Sequence, residues 1–178
     1  HALQEAMAGH EHGMVTADIG CYTLGALAPL QAIESCVCMG ASIGMARGAA
    51  EAGVHPVVAV IGDSTFVHSG LTALADAAAA DADMTLLILD NETVGMTGAQ
   101  DTVLPQSRLA DVIRGLGVPE DHCVVVDAHP RKVHDNAEVL RQAIAHKGLS
   151  VVIARRECKV AAKRRQRARA IAAQEVAS

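Results

Sequence analysis

Short, almost wholly apolar runs, each ending abruptly on a polar residue, constrain this chain most. Val57–Ile61 stops at Gly62-Asp63, Met84–Leu89 at Asp90-Asn91, Cys123–Val126 at Asp127 and Val151–Ala154 at Arg155. Met14–Ala17 is a shorter run of the same kind, followed by Asp18. Strands apolar on both sides are expected where helices cover both faces of a sheet. Helical patterns fill the intervals: 2–12, 40–53 (stopped by Gly53 and Pro56), 68–81, 107–115, 131–147 (stopped by Gly148) and a tail over 158–176. This alternation predicts an α/β fold, a single doubly wound domain on a mainly parallel sheet. Right-handed crossovers put every strand C-terminus on one edge, where such sheets bind ligands. Asp18, Asp63 and Asn91 are therefore expected to face one crevice.

The length of 178 residues fits one domain. The expected division is a ligand-binding domain over 1–157 and a basic C-terminal helix over 158–178. Phe66 and Tyr22 are the only aromatic residues of their kinds and Trp is absent, so the core must be small aliphatics, suited to closely packed helices on a sheet. A net charge of −5 gives no reason to expect nucleic acid. The basic run Arg155, Arg156, Lys159, Lys163, Arg164, Arg165, Arg167 and Arg169 reads as a solvated face, with an acidic partner as the alternative. Five cysteines, an odd count, argue against a disulfide framework and for a reducing, cytoplasmic setting. Cys36-Val37-Cys38 has no zinc or ferredoxin spacing and reads as structural or cleft-lining. No apolar run is long enough to span a bilayer. His10 and His12 would diverge on a helix and make a poor metal pair. Met39, Met45 and Met96 read as packing residues.

The strand ends carry the chemistry. Asp63 follows a buried strand, and a carboxylate there needs a partner. Gly62 permits close backbone approach, and free amides at the next helix start suit an anion. A helix cap is the plainer role for Asp63, and it is compatible with metal binding. Asn91 offers an amide oxygen and Thr93 a main-chain one. Magnesium takes a few hard oxygens and completes its shell with water and phosphate oxygens. Asp63, Asn91 and Thr93 could thus hold a cation beside a diphosphate.

Gly62-Asp63-Ser64, twenty-five residues, then Asp90-Asn91 resembles the motif of thiamine-diphosphate enzymes, with Ser and Asp replacing a Gly and an Asn. Further blocks resemble the thiamine domain of the indolepyruvate:ferredoxin oxidoreductases, a 2-oxoacid oxidoreductase family: Asp18 to Gly25, Cys36 to Gly44, Gly62 to Gly70 and Leu89 to Gly98. Val152 to Cys158 is more weakly similar.

The resemblance implies magnesium on Asp63, Asn91 and the Thr93 carbonyl, with Gly62, Ser64 and Thr65 at the diphosphate. It implies Gly20 and Cys21 in the cofactor cleft, Ala41 and Ser42 beneath the aminopyrimidine, and Ile43 as the wedge that bends the cofactor. His68 is near enough to face substrate, without an assigned role. The implied activity is oxidative decarboxylation of aryl pyruvate-like 2-oxoacids to acyl-coenzyme A, with electrons passing to iron–sulfur clusters. It also implies a pyrimidine-type thiamine domain supplying an activating glutamate, an electron-transfer subunit, and a homo- or hetero-oligomer. Neither that domain nor cluster-binding cysteines follow from these residues. The alternatives are a non-oxidative oxoacid decarboxylase subunit, a nucleotide- or phosphate-binding module, and an assembly subunit acting through its basic tail.

Overall fold

In the computed structural model, which describes residues 1–164 and 166–167, the apolar runs become the strands of one parallel sheet. Its strands are β1 (Met14–Ala17), β2 (Ser35–Cys36), β3 (Val57–Gly62), β4 (Met84–Asp90), β7 (Cys123–Asp127) and β8 (Leu149–Arg155), in the order β2-β1-β3-β4-β8-β7. A separate antiparallel hairpin, β5 (Thr93–Val94) with β6 (Gln100–Asp101), rises from the end of β4. The helices are α1 (Ala2–Met7), α2 (Ala41–Glu51), α3 (Asp63–Thr65), α4 (Leu71–Ala79), α5 (Gln106–Gly115) and α6 (Val133–Ala145).

Alternating side chains divide the sheet's apolar content between two layers. Val57, Ala59 and Ile61 of β3, with Leu86 and Ile88 of β4, pack against Ile43 and Ala46 of α2, Leu74 and Ala77 of α4, and Ile113 of α5. Val58, Val60, Leu87 and Val152 face the other way, toward Ala6 of α1 and Leu140 of α6. Each buried Val, Leu or Ile contributes about 1.5–3 kcal/mol. The expected doubly wound α/β fold is therefore present. No described helix is long and apolar enough to cross a membrane.

Several boundaries differ from those expected. The 2–12 helix ends at Met7, because Gly9 adopts φ +91° and turns the chain. His10 and His12 thus lie outside the helix and are exposed. The helix expected from residue 68 begins at Asp63 and runs through a π-helical turn, Phe66–Gly70, into α4. The two-residue strand β2 and the β5–β6 hairpin were not expected, being too short to carry a periodicity. Of the basic tail, 159–164 and 166–167 are helical; the rest of the expected helix, including Arg165 and Arg169, lies outside the described residues.

The chain leaves β1 for β2 on one side, then returns to β3 on the other. The C-terminal ends of β1 and β3 thus flank a topological switch point, where α/β sheets open a crevice.

Candidate cofactor site

A cleft of about 400 Å³ opens at this edge. Residues after β1 (Ile19, Gly20, Cys21, Tyr22), after β3 (Asp63, Ser64, Thr65) and after β4 (Asn91, Thr93 to Thr97) line it, together with Gly62, Leu89 and Met39. Gly20, Cys21, Gly62, Asp63, Ser64, Thr65, Asn91 and Thr93, all singled out in the sequence, are brought together here.

Asp63 organises the floor. The residue is 6% exposed. One carboxylate oxygen accepts the Ser64 N–H at 2.8 Å; the other accepts the N–H groups of Asn91 (3.2 Å) and Glu92 (2.8 Å). A single carboxylate thereby ties the turn after β3 to the turn after β4. The Asn91 side-chain oxygen accepts the Thr93 N–H at 3.0 Å, and Glu92 sits at φ +56°, which tightens that turn. Burial pushes the Asp63 carboxyl above its ordinary pKa; the Ser64 and Asn91 amides pull it down, and the Asp90 charge pushes it up again. A carboxylate whose negative charge is poorly solvated has a raised affinity for any cation, proton or metal.

Ser64 supplies a second observation. Its hydroxyl oxygen is buried and has no hydrogen-bond partner. Buried polar atoms are nearly always satisfied, and an exception calls for a partner, a water or a ligand oxygen being the simplest. This orphan sits one residue from Asp63 in a cleft whose donors are hydroxyls and main-chain amides, and whose acceptors are a carboxylate, an amide oxygen and carbonyls. That set fits a hydrated divalent cation bridged to phosphate oxygens.

Tyr22 forms a wall. Its hydroxyl accepts the Gly62 N–H at 3.1 Å, and its ring lies so close over Gly20 that a side chain there would overlap it. Burial pushes its phenol well above the usual tyrosine range. Beyond Tyr22 lies a second, apolar cavity of about 510 Å³, which shares Cys21, Tyr22 and Leu89 with the cleft.

The segment after Cys38 departs from expectation. Ala41, Ser42 and Ile43 do not line the cleft. Gly40, at φ +87°, turns the chain into α2, so residues before it face the cleft and residues after it enter the core. Ile43 is fully buried, its tip meeting those of Ile61 and Phe66 over Gly70. Its side chain therefore belongs to the core and not to the cleft lining. Met39 lines the cleft instead, 45% exposed, and Met96 joins it; neither is the packing residue expected. Asp18 also differs. It is fully buried rather than facing the crevice, accepting the Ser42 N–H at 2.7 Å and the Ser42 hydroxyl at 2.9 Å. Its role is to anchor the start of α2, and burial pushes its carboxyl up while Ser42 opposes. Cys36 donates its thiol to the Asp18 carbonyl, a structural use. His68 is exposed on the π-helical turn and is not among the cleft-lining residues.

Sequence reasoning passed over Tyr22, Met39 and Met96 as site residues. Tyr22 had a signal, as the one tyrosine in an aromatic-poor chain. The methionines had none, since their roles depend on the direction of the Gly40 turn and on the hairpin.

A strand-end crevice with an Asp–Asn turn and an unsatisfied hydroxyl suits a domain that holds a phosphorylated ligand. Residues 18–154 match the family of thiamine pyrophosphate enzymes, C-terminal TPP binding domain, and the chain belongs to that family. Among known proteins it resembles the indolepyruvate oxidoreductase subunit IorA of Archaeoglobus fulgidus, with 41% identity over 153 residues covering 80% of this chain and 24% of that subunit. The corresponding subunit of Pyrococcus abyssi is 37% identical over 164 residues, covering 79% and 25%. The chain thus spans about a quarter of the length of these curated relatives. Among solved structures, the 2-oxoglutarate:ferredoxin oxidoreductase of Magnetococcus marinus superposes with a TM-score of 0.71 at 18% identity, covering 88% of this chain and 60% of that one, a likeness of fold.

Proposed function

We propose that this chain is the thiamine-diphosphate- and magnesium-holding part of a 2-oxoacid oxidoreductase acting on aryl pyruvate-like acids. The orphaned Ser64 hydroxyl beside the Asp63–Asn91 turn carries the reading, because it calls for an acceptor oxygen where a diphosphate would lie. In this reading Asp63, the Asn91 side-chain oxygen and the Thr93 carbonyl hold Mg²⁺, and Ser64 and Thr65 bind the diphosphate. The bound cofactor would supply an electron sink that makes loss of carbon dioxide from a 2-oxoacid feasible. The chain's own residues position it. Asp63 neutralises the cation and fixes both turns, Tyr22 holds Gly62, and Met39 offers an apolar surface at the cleft.

The relatives' names support the oxidoreductase assignment. The glutamate that activates the cofactor, the iron–sulfur clusters and the coenzyme A site belong in this proposal to a partner domain and an electron-transfer subunit within an oligomer. The five cysteines are free thiols, which suits a cytoplasmic location.

Calorimetric titration with thiamine diphosphate, with and without magnesium, tests the reading against Asp63→Ala. Binding should require magnesium and should be lost in the variant. Magnesium-independent binding that survives in Asp63→Ala would leave a phosphate-binding module instead.

A further inference from the structure

The cofactor cleft has one wall, the segment 91–105, that is neither a sheet strand nor a core helix. It contributes Asn91 and residues 93–97 to the cleft, and its own structure is a two-residue hairpin. So short a hairpin is not stable by itself. Asp63 holds its start through the Asn91 and Glu92 amides, Arg164 donates to the Gly98 carbonyl at 2.6 Å, and a further fastening joins its two ends.

Asp90, immediately before the segment, is 2% exposed at the last residue of β4. Its register partner on β8 is Arg155. The Arg155 Nε donates to an Asp90 carboxylate oxygen at 3.1 Å. The same guanidinium donates through Nη2 to the main-chain carbonyl of Gln106 at 2.7 Å. Gln106 is the first residue of α5, immediately after the segment. One planar group thus clips both feet of the cleft wall. Arg155 stands on a strand flanked on both sides by β4 and β7, so the clip is mounted on a rigid element. The adjacent main chain reinforces it, with the Arg156 N–H donating to the Asp90 carbonyl at 2.9 Å and the Arg156 side chain to the Ala128 carbonyl at 3.1 Å. These two arginines are half-buried and spend donors on Asp90 and on main-chain carbonyls, unlike residues of a fully solvated basic face.

We infer that Arg155 is a positioning residue for the cofactor site, holding the Asn91–Thr93 turn in ligating geometry by fixing residues 90 and 106 together. This rests on the thiamine-diphosphate reading above. The chemistry requires arginine. A lysine would restore the positive charge beside Asp90, but its single ammonium on a flexible stem lacks the rigid fork that reaches two acceptors in different directions.

That difference separates positioning from mere charge compensation. In the full-length protein with its partner domain, Arg155→Gln and Arg155→Lys are compared by three measurements: thermal midpoint, amide hydrogen exchange without cofactor, and calorimetric affinity for thiamine diphosphate with Mg²⁺. Arg155→Gln should lower the midpoint, speed exchange over residues 91–106 at least tenfold, and weaken cofactor binding at least tenfold. Arg155→Lys should recover most of the midpoint yet keep the fast exchange and the weak binding. If lysine restores all three, the pair only compensates charge and the inference is wrong. Unchanged exchange over 91–106 in both variants also overturns it, as does fast exchange with undiminished cofactor affinity. Wild-type protein that takes up no thiamine diphosphate while the exchange effect persists would overturn the functional reading, and with it Arg155's cofactor role, while leaving a purely structural clip.

Discussion

Replacing Ser64 by alanine should make the cofactor-free protein more stable and the cofactor-bound protein weaker, opposite signs from one hydroxyl. In the structure the Ser64 oxygen is buried without a hydrogen-bond partner. An unsatisfied buried hydroxyl costs about 1–3 kcal/mol in lost hydration. Alanine removes that cost. The lower end of that range, about 1 kcal/mol, corresponds to a rise of roughly 2–4 °C in Tm for a domain of this size. With cofactor bound, the hydroxyl would donate to a charged phosphate oxygen, a bond worth about 1.5–3 kcal/mol. Losing it should weaken binding roughly ten- to hundredfold. Thermal unfolding with and without thiamine diphosphate and magnesium, beside calorimetric affinities, reads both signs. A variant less stable without cofactor would show that Ser64 already has a partner. A variant with unchanged affinity would show that the orphan does not face the diphosphate.

Ile43→Ala should cost about 2–5 kcal/mol of stability, since Ile43 is fully buried in the core. Met39→Ala should change stability by no more than about 0.5 kcal/mol while weakening thiamine diphosphate binding, since Met39 is half exposed in the cleft. Equal losses of stability in the two variants, seen in urea unfolding, would contradict the Gly40 turn. A pH effect should appear where α1 meets α6. The His134 ring lies 3.0 Å from a Glu5 carboxylate oxygen, and Arg141 lies 3.2 Å from the same oxygen. The hydrogen bond with His134 lowers the Glu5 pKa from 4.5, and the same bond raises that of His134 from 6.5. Glu5's contribution is present above about pH 4.5 and fades as pH falls through its lowered value; His134's is present below about pH 6.5 and fades as pH rises through its raised value. The wild type should therefore exceed His134→Gln in urea midpoint most clearly between those limits. A gap that stays constant from pH 5 to 9 would rule out the charged pair. Both groups are solvent-screened, so the effect should be small.

Much of this protein is determined locally. A run such as Val57–Ile61, short, rich in β-branched residues and closed by Gly62-Asp63, reads as a doubly covered strand, so the parallel sheet and its ligand edge were legible in the sequence, as was the placing of Asp63 and Asn91 at neighbouring strand ends. The longer helices, α2 and α6, were legible in the same way, whereas the ends of α1 and the start of the α3–α4 stretch were not. What the sequence could not decide depends on where the chain turns and what lies opposite. Asp18 and Asp63 both follow strands and look alike in sequence; only packing sends one beneath α2 to bind Ser42 and leaves the other in the cleft. Ile43 and Met39 are four residues apart, and the left-handed Gly40 between them assigns one to the core and the other to the cleft. Arg155 reads as one charge in a basic run until β8 is laid beside β4, where it meets Asp90 and reaches Gln106. Strand periodicity is a property of neighbours in sequence, whereas these assignments are made by residues many positions apart, and only tertiary structure brings them together.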